Sequence, residues 1–110
     1  MYHIEIDTKK RILKLFKNDI LIKQYPVAVG KPSTSTPLGY WTIILKGLWG
    51  AQFGGYFMQI SVPWGIYGIH GTDKPWSIGQ AVTHGCIRMY SSDAKELYNT
   101  ISVGTLVHIY

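Results

Sequence analysis

The chain has 110 residues, 46% of them hydrophobic, so a single domain with one core is expected over residues 1–110. The one cysteine excludes an intramolecular disulfide, and no apolar run is long enough to span a bilayer. The net charge of +5 favours anionic partners, but the cations are scattered and no stretch resembles a nucleic-acid-binding module.

The first third of the chain reads as a run of β-strands. Residues 2–6, 11–16 and 20–29 alternate or are rich in β-branched and aromatic side chains, as strands are. Turn residues at 7–10 and 17–19 separate them. Three short strands joined by tight turns predict an antiparallel meander.

A loop and a fourth strand follow. Residues 30–39 contain two prolines, two glycines and four Ser or Thr residues, which predicts a loop. It either simply connects two strands or borders a binding cleft. Residues 40–46 alternate again, and this pattern places Trp41, Ile43 and Leu45 on one face of a strand.

The middle of the chain is broken by glycine and proline. Residues 47–55 are glycine- and aromatic-rich and are expected to be irregular, whereas residues 56–62 predict a strand. Residues 66–70 predict a further strand that ends at His70. The end of a strand holds a side chain rigidly next to an open loop. Residues 73–82 read as a loop with one helical turn near its middle.

One convincing helix is predicted, from Asp93 to Ile101. Ser92 or Asp93 can cap it, and Glu96 stands at capping-box spacing from Asp93. The face that would pack on the sheet is formed by Ala94, Leu97, Tyr98 and Ile101. A final strand is predicted over residues 105–110, so the fold class is mainly β with one short α-helix near the C-terminus.

The segment from Thr83 to Met89 holds the only cysteine and carries the strongest chemical signal. Gly85 precedes Cys86, and His70 lies sixteen residues upstream. A thiol and an imidazole are the minimum parts for thiol-based acyl transfer, because the imidazole can take and return the proton of the nucleophile. A neighbouring imidazole also favours the thiolate form. A glycine beside the nucleophile allows a tight turn and brings backbone N–H groups near a developing oxyanion.

These segments resemble the active-site signature of the L,D-transpeptidase catalytic domain, also called the YkuD domain. The signature segments here are Ile69-His70-Gly71-Thr72 and Thr83-His84-Gly85-Cys86-Ile87-Arg88-Met89. The segment from Val29 to Trp41 resembles the glycine-lysine and threonine-proline turn of the same domain. The resemblance runs from about Ile4 to Tyr110. Arg88 stands where many members carry Asn.

The resemblance implies a YkuD-type β-sandwich of mixed sheets and assigns roles to the residues of the motif. Cys86 is the expected nucleophile and His70 the general base and acid. The carbonyl of Gly71 is preferred over Asp73 as the partner that orients the imidazole, and backbone N–H groups near Gly85 are expected to form the oxyanion hole. The expected substrate-binding residues are Thr83, His84 and Arg88, with Tyr67 lining the cleft or belonging to the core. Trp64 is expected in the core rather than in the lining of the cleft, and His3 and His108 are expected to be structural.

The reaction implied by the resemblance is cross-linking of peptidoglycan stem peptides through an acyl-enzyme on Cys86, with release of a terminal D-Ala. Water in place of the acceptor amine would make the enzyme an L,D-carboxypeptidase. Carbapenem β-lactams are expected to acylate the same cysteine, and no cofactor is implied. The cell wall or the spore is the expected location, although residues 1–7 lack the features of a signal peptide.

Three other classes of protein are considered. Papain-like or NlpC-type peptidases place the histidine after the cysteine, whereas here His70 precedes Cys86. A zinc site made of His70, His84 and Cys86 would lack a fourth ligand and any paired ligand spacing. A non-catalytic wall-binding domain suits the basic charge but needs neither Cys86 nor His70.

Overall fold

The computed structural model describes all residues from Met1 to Tyr110. Nine strands and one α-helix follow one another along the chain. The strands are β1 (Tyr2–Asp7), β2 (Ile12–Lys17), β3 (Ile20–Gly30), β4 (Gly39–Gly47), β5 (Phe57–Ile60), β6 (Tyr67–His70), β7 (Ala81–Thr83), β8 (Ile87–Met89) and β9 (Leu106–Ile109), and the helix is α1 (Ser91–Thr100).

The first three strands form the expected antiparallel meander. β1 pairs with β2 and β2 pairs with β3, both antiparallel. The turn between β2 and β3 is made by Asn18 and Asp19, whose φ angles are 50° and 66°. Positive φ at both central residues gives a turn whose twist matches that of the flanking strands. Asn and Asp tolerate this conformation better than most side chains do.

The strands form one closed sheet rather than a sandwich of separate sheets. Their order is β2-β1-β9-β4-β5-β6-β8-β3-β7, and an additional pairing of β2 with β3 closes the circuit. Three pairings, β1 with β9, β3 with β7 and β6 with β8, are parallel. The prediction of a mainly β fold with mixed strand directions is therefore confirmed, and the sandwich arrangement is replaced by a barrel-like closure.

A single core of 19 buried hydrophobic residues fills the inside of the closed sheet. Helix α1 contributes Ala94 and Leu97, both fully buried, and Ile101 follows it into the same core. Tyr98 packs against this core at its edge, so the predicted apolar face of the helix is confirmed. No helix in the protein has the length and apolar character that crossing a membrane requires.

The start of the helix differs from the prediction. α1 begins at Ser91 after Tyr90, and no side chain caps it, so neither Ser92 nor Asp93 has the expected role. Glu96 does not turn back to the helix start, because its carboxylate accepts hydrogen bonds from the hydroxyl of Tyr25, at 2.6 Å, and from Lys23. These tertiary partners on β3 compete successfully with a local capping box.

Two apolar side chains, Leu45 and Trp64, are more exposed than the sequence pattern predicted. A register shift of β4 against β5 between Ile43 and Leu45 interrupts the alternation, and Leu45 is 41% exposed. A bulge of this kind turns the following side chains to the other face. Trp64, expected in the core, is 64% exposed, and its ring meets that of Trp41 edge-on with centroids 5.6 Å apart.

The packing of α1 predicts a large difference between two leucines. Leu97→Ala removes a fully buried side chain and should lower the free energy of unfolding by about 2–5 kcal/mol, because it leaves a cavity. Leu106→Ala, the same substitution at a position that is 56% exposed, should change it by no more than about 0.5 kcal/mol. Urea denaturation of both variants measures this, and equal effects would contradict the described core.

Candidate active site

The parallel pairing of β6 with β8 brings together the two segments singled out in the sequence. Ile69 lies opposite Ile87, and His70 lies opposite Arg88. Ile69 and Ile87 point into the core, where they are 0% and 1% exposed. Because side chains alternate along a strand, His70 and Arg88 lie on the other face. Cys86, two residues before Arg88, shares that face.

The side chains on this face line a cavity of about 230 Å³. It is lined by Gln52, Phe53, His70, Thr72, Asp73, Lys74, Thr83, His84, Cys86 and Arg88. Most of these groups are polar or charged, so the cavity suits a polar substrate with a few anchoring contacts. The thiol, the imidazole and the guanidinium therefore face one shared space.

The imidazole of His70 is oriented by the backbone. Its side chain is buried, and its Nδ1–H donates a hydrogen bond to the carbonyl oxygen of Gly71, at 2.5 Å. A carbonyl oxygen only accepts hydrogen bonds, so the proton of the neutral ring is on Nδ1 and Nε2 carries the free lone pair. Asp73 is exposed and makes no hydrogen bond to the ring. The neutral ring in this orientation can act as a base through Nε2.

Burial opposes charge on both the imidazole and the thiol. Desolvation lowers the pKa of His70, although the hydrogen bond to Gly71 counteracts this and the nearby Arg88 cation adds to it. Desolvation also raises the pKa of Cys86, while a backbone hydrogen bond from Gly68 and the charge of Arg88 favour the thiolate. The empty site therefore favours a neutral thiol beside a neutral imidazole, not the ion pair expected from proximity alone.

The loop before Cys86 is held by one hydroxyl group. Thr83 is 1% exposed, and its Oγ1 donates to the carbonyl oxygen of Cys86 at 2.7 Å while accepting the N–H of Gly85 at 3.0 Å. Gly85 has a φ of 120°, and a Cβ there would lie 2.5 Å from the ring of Tyr67. Only glycine satisfies both conditions. The hydroxyl of Thr83 and the N–H of Gly85 are thus engaged with each other inside the loop.

The other residues expected to contact substrate lie in different surroundings. His84 is exposed at the rim of the cavity, and Arg88 lines it without forming an ion pair with any carboxylate. Tyr67 lies behind the loop, where it packs on Gly85, and is not part of the cavity lining. The N–H of Cys86 donates to no protein acceptor, so it is available to a ligand.

Several lining residues were not singled out from the sequence. Gln52 and Phe53 come from the loop between β4 and β5, and Lys74 follows β6. The aromatic and glycine-rich character of residues 47–55 was the only signal for the first pair. No group of three or more His, Cys, Asp or Glu side chains is arranged to hold a metal ion.

Comparison with known protein families identifies the family of this chain. Residues 1–109 match the family model of the YkuD L,D-transpeptidase catalytic domain. The chain belongs to this family. Two relatives, the YkuD proteins of Bacillus licheniformis and Bacillus subtilis, both named as L,D-transpeptidases, are each 44% identical over 109 residues, or 98% of this chain. The chain spans 65% of the length of each of these relatives.

Solved structures share the fold. An L,D-transpeptidase from Mycobacterium smegmatis superposes with a TM-score of 0.88 at 20% identity, over 99% of this chain and 58% of that one. An Enterococcus faecium L,D-transpeptidase gives 0.87 at 26% identity, over 99% and 49%. The Ldtfm–avibactam carbamoyl enzyme gives 0.83 at 29% identity, over 99% and 48%. The chain thus shares its fold with these L,D-transpeptidase structures.

The hydrogen bonds of Thr83 can be tested without any substrate. Thr83→Val keeps the shape but leaves the N–H of Gly85 and the carbonyl of Cys86 unpaired, so the free energy of unfolding should fall by roughly 1–3 kcal/mol. Thr83→Ser keeps the hydroxyl and should recover most of this loss. Urea denaturation measures both variants, and a valine variant as stable as the wild type would contradict the described loop.

The buried imidazole predicts how stability depends on pH. Since the pKa of His70 in the folded protein lies below its ordinary value of 6.5, the unfolded chain binds a proton below pH 6.5 that the folded protein resists. This contribution is fully present above pH 6.5 and is lost as the pH falls from there towards the folded pKa. Urea denaturation between about pH 7.5 and pH 5.5 should show the decline. His70→Gln should flatten it, and an unchanged slope in that variant would assign the decline to other groups.

Proposed function

We propose that residues 1–110 form the catalytic domain of a peptidoglycan L,D-transpeptidase that forms cross-links through an acyl-enzyme on Cys86. The observation that carries this proposal is that His70, at the end of β6, and Cys86, directly before β8, line one cavity. The bond from His70 Nδ1 to Gly71 adds to it, because it leaves Nε2 free to accept a proton. Membership of the YkuD family supports the choice of substrate.

In the first step, Nε2 of His70 takes the proton of the Cys86 thiol as the sulfur attacks a carbonyl carbon. The carbonyl is that of the third residue of a stem peptide, at an L-centre. A carbon–sulfur bond forms and the oxyanion accepts hydrogen bonds, for which the free N–H of Cys86 is the best donor. The amide bond then breaks, and the terminal D-Ala leaves as an amine with the proton from His70.

In the second step, a side-chain amine of a neighbouring stem peptide attacks the thioester. His70 takes one proton from the attacking nitrogen, the carbon–sulfur bond breaks, and the proton returns to the sulfur of Cys86. The product is a new amide bond between two stems. Water as the acceptor would release a free carboxylate instead, which is the L,D-carboxypeptidase alternative on the same stem peptides.

The neutral resting pair supports this order of events. Burial disfavours the thiolate and the imidazolium in the empty site, so proton transfer accompanies the attack on the carbonyl. Arg88 can bind an anionic group of the substrate, because its guanidinium lines the cavity and has no carboxylate partner in the protein. The carboxylate at the end of a stem peptide is the group we assign to it, and exposed His84 contacts the same substrate from the rim.

The alternative functions have less support. A non-catalytic wall-binding domain would not need a cavity that joins a thiol, an oriented imidazole and a free guanidinium. The partners that follow from the proposal are stem peptides and carbapenem β-lactams, and the place of action is the cell wall. The Ldtfm relative, described as an avibactam carbamoyl enzyme, supports covalent inhibition of such a site. No cofactor takes part in the proposed reaction.

Mass spectrometry of the intact protein after incubation with a carbapenem tests the proposal. The wild type should gain the mass of one inhibitor, and Cys86→Ala should gain none, because no nucleophile remains. His70→Gln should acylate at least about 100-fold more slowly, since it lacks the general base.

The matched test of function uses purified stem peptides with an amine acceptor. Formation of the cross-linked product supports transpeptidation, and release of D-Ala with hydrolysis alone supports the carboxypeptidase. A folded wild type that neither acylates nor turns over stem peptides would overturn the proposal.

A further inference from the structure

The imidazole of His70 is enclosed by aromatic rings from outside the sequence motif. Phe57 lies opposite His70 in the antiparallel pairing of β5 with β6, and the two rings are stacked with centroids 5.7 Å apart and an interplanar angle of 14°. Phe53 meets the imidazole edge-on, at 5.0 Å and 82°. The imidazole is therefore held by one stacked ring, one edge-on ring and the hydrogen bond to Gly71.

A third ring completes this group. Trp49 stacks on Phe57 with centroids 3.9 Å apart and an interplanar angle of 4°, and its edge contact with Phe53 is at 5.2 Å and 86°. Phe53 and Phe57 also meet edge-to-face, at 5.5 Å. The aromatic cover, defined as Trp49, Phe53 and Phe57, thus forms a mutually packed group with His70 against it. Such stacked and edge-to-face pairs stabilise the group beyond the burial of their apolar area.

The backbone fixes the loop that carries two of these rings. Trp49 and Phe53 belong to the connection between β4 and β5, which contains a 3-10 turn over Ala51–Phe53. Gly54 follows with a φ of 62°, and a Cβ there would lie 2.6 Å from the Cα of Gly71. The loop therefore packs directly on the residue whose carbonyl holds His70. A larger residue at position 54 would push the loop away from the histidine.

We propose that Trp49 and Phe53 are positioning residues for His70, which hold its ring towards Cys86 and exclude water from it. This inference rests on the proposed function, in which His70 is the base. Phe53 does so by direct contact with the imidazole, and Trp49 acts through Phe53 and Phe57 because it does not line the cavity. Burial is the largest cause of the lowered pKa of His70, so loss of the cover should raise that pKa.

The charged and titratable groups near the imidazole all lie outside the aromatic cover. Arg88 lies opposite His70 on β8 and lowers its pKa. The remaining titratable groups that line the same cavity are Asp73, Lys74, His84 and Cys86. Trp49 and Phe53 are uncharged, so replacing either one removes no charge from the cavity. A change in the pKa of His70 in such a variant therefore reports a change in the hydration or position of the imidazole.

The test uses the whole chain and the variants Trp49→Leu and Phe53→Leu. Each keeps an apolar side chain but removes the ring. NMR titration of the His70 imidazole should show a midpoint shifted upwards in both, while carbapenem acylation of Cys86 slows about tenfold, since a displaced base is less effective. Trp49→Phe keeps a stacking ring, so its His70 midpoint and its acylation rate should both stay close to those of the wild type. Trp64→Leu is the matched control, because Trp64 is an exposed loop tryptophan that contacts Trp41 and not His70.

The outcomes separate this inference from the proposed function. The imidazole titration does not depend on any reaction, so an upward shift without acylation would support the positioning role and count against the transpeptidase. Acylation with an unchanged His70 midpoint in both leucine variants would overturn the positioning role alone. A shift of the same size in Trp64→Leu would also overturn it, because the effect would then be general destabilisation. Should Trp49→Leu fail to fold, Phe53→Leu and Trp49→Phe decide the question by the same two readouts.

Discussion

The register between β6 and β8 is the constraint on which the site depends. In a parallel pair the side chains of partnered residues project to the same side, so the pairing of His70 with Arg88 also aligns Cys86 with them. The alternate residues Ile69 and Ile87 fill the core. A slip of β8 by one residue would turn Ile87 outward and direct the side chains next to it, Cys86 and Arg88, towards the core. The register that buries Ile69 and Ile87 in the core therefore also places His70 and Arg88 together on the opposite side of the strand pair.

The same enclosure that builds the site also shapes its electrostatics. Aromatic rings and the closed sheet remove water from His70 and Cys86, which opposes charge on both. The charge that acts on both groups is the guanidinium of Arg88, which favours a thiolate and disfavours an imidazolium. A partly buried site with a neutral imidazole and a nearby cation strengthens interactions with charge on a bound ligand. The carbonyl of Gly71 fixes the imidazole of His70, and the buried hydroxyl of Thr83 fixes the backbone of Cys86.

Local sequence patterns predicted the longer elements well. The antiparallel meander, the strand ending at His70 and the apolar face of α1 follow from periodicity, because long segments repeat their signal several times. β7 and β8 have three residues each, too few to show alternation, and were not predicted. The beginning of α1 was misplaced, because Glu96 binds Tyr25 and Lys23 rather than the helix start. At the helix start, a contact distant in sequence thus outweighed a local preference.

The sequence by itself singled out the candidate site residues, since one cysteine, a histidine at a recognisable spacing and the neighbouring glycine and arginine can all be read locally. Only the tertiary structure decided what each group does with its hydrogen bonds. It turned the hydroxyl of Thr83 and the N–H of Gly85 towards each other, moved Tyr67 behind the loop, and brought Trp49 and Phe53 onto the histidine. These contacts follow from sheet closure and from loops packing across the fold. No repeat or spacing along the chain encodes them, because their partners meet only when distant strands pair.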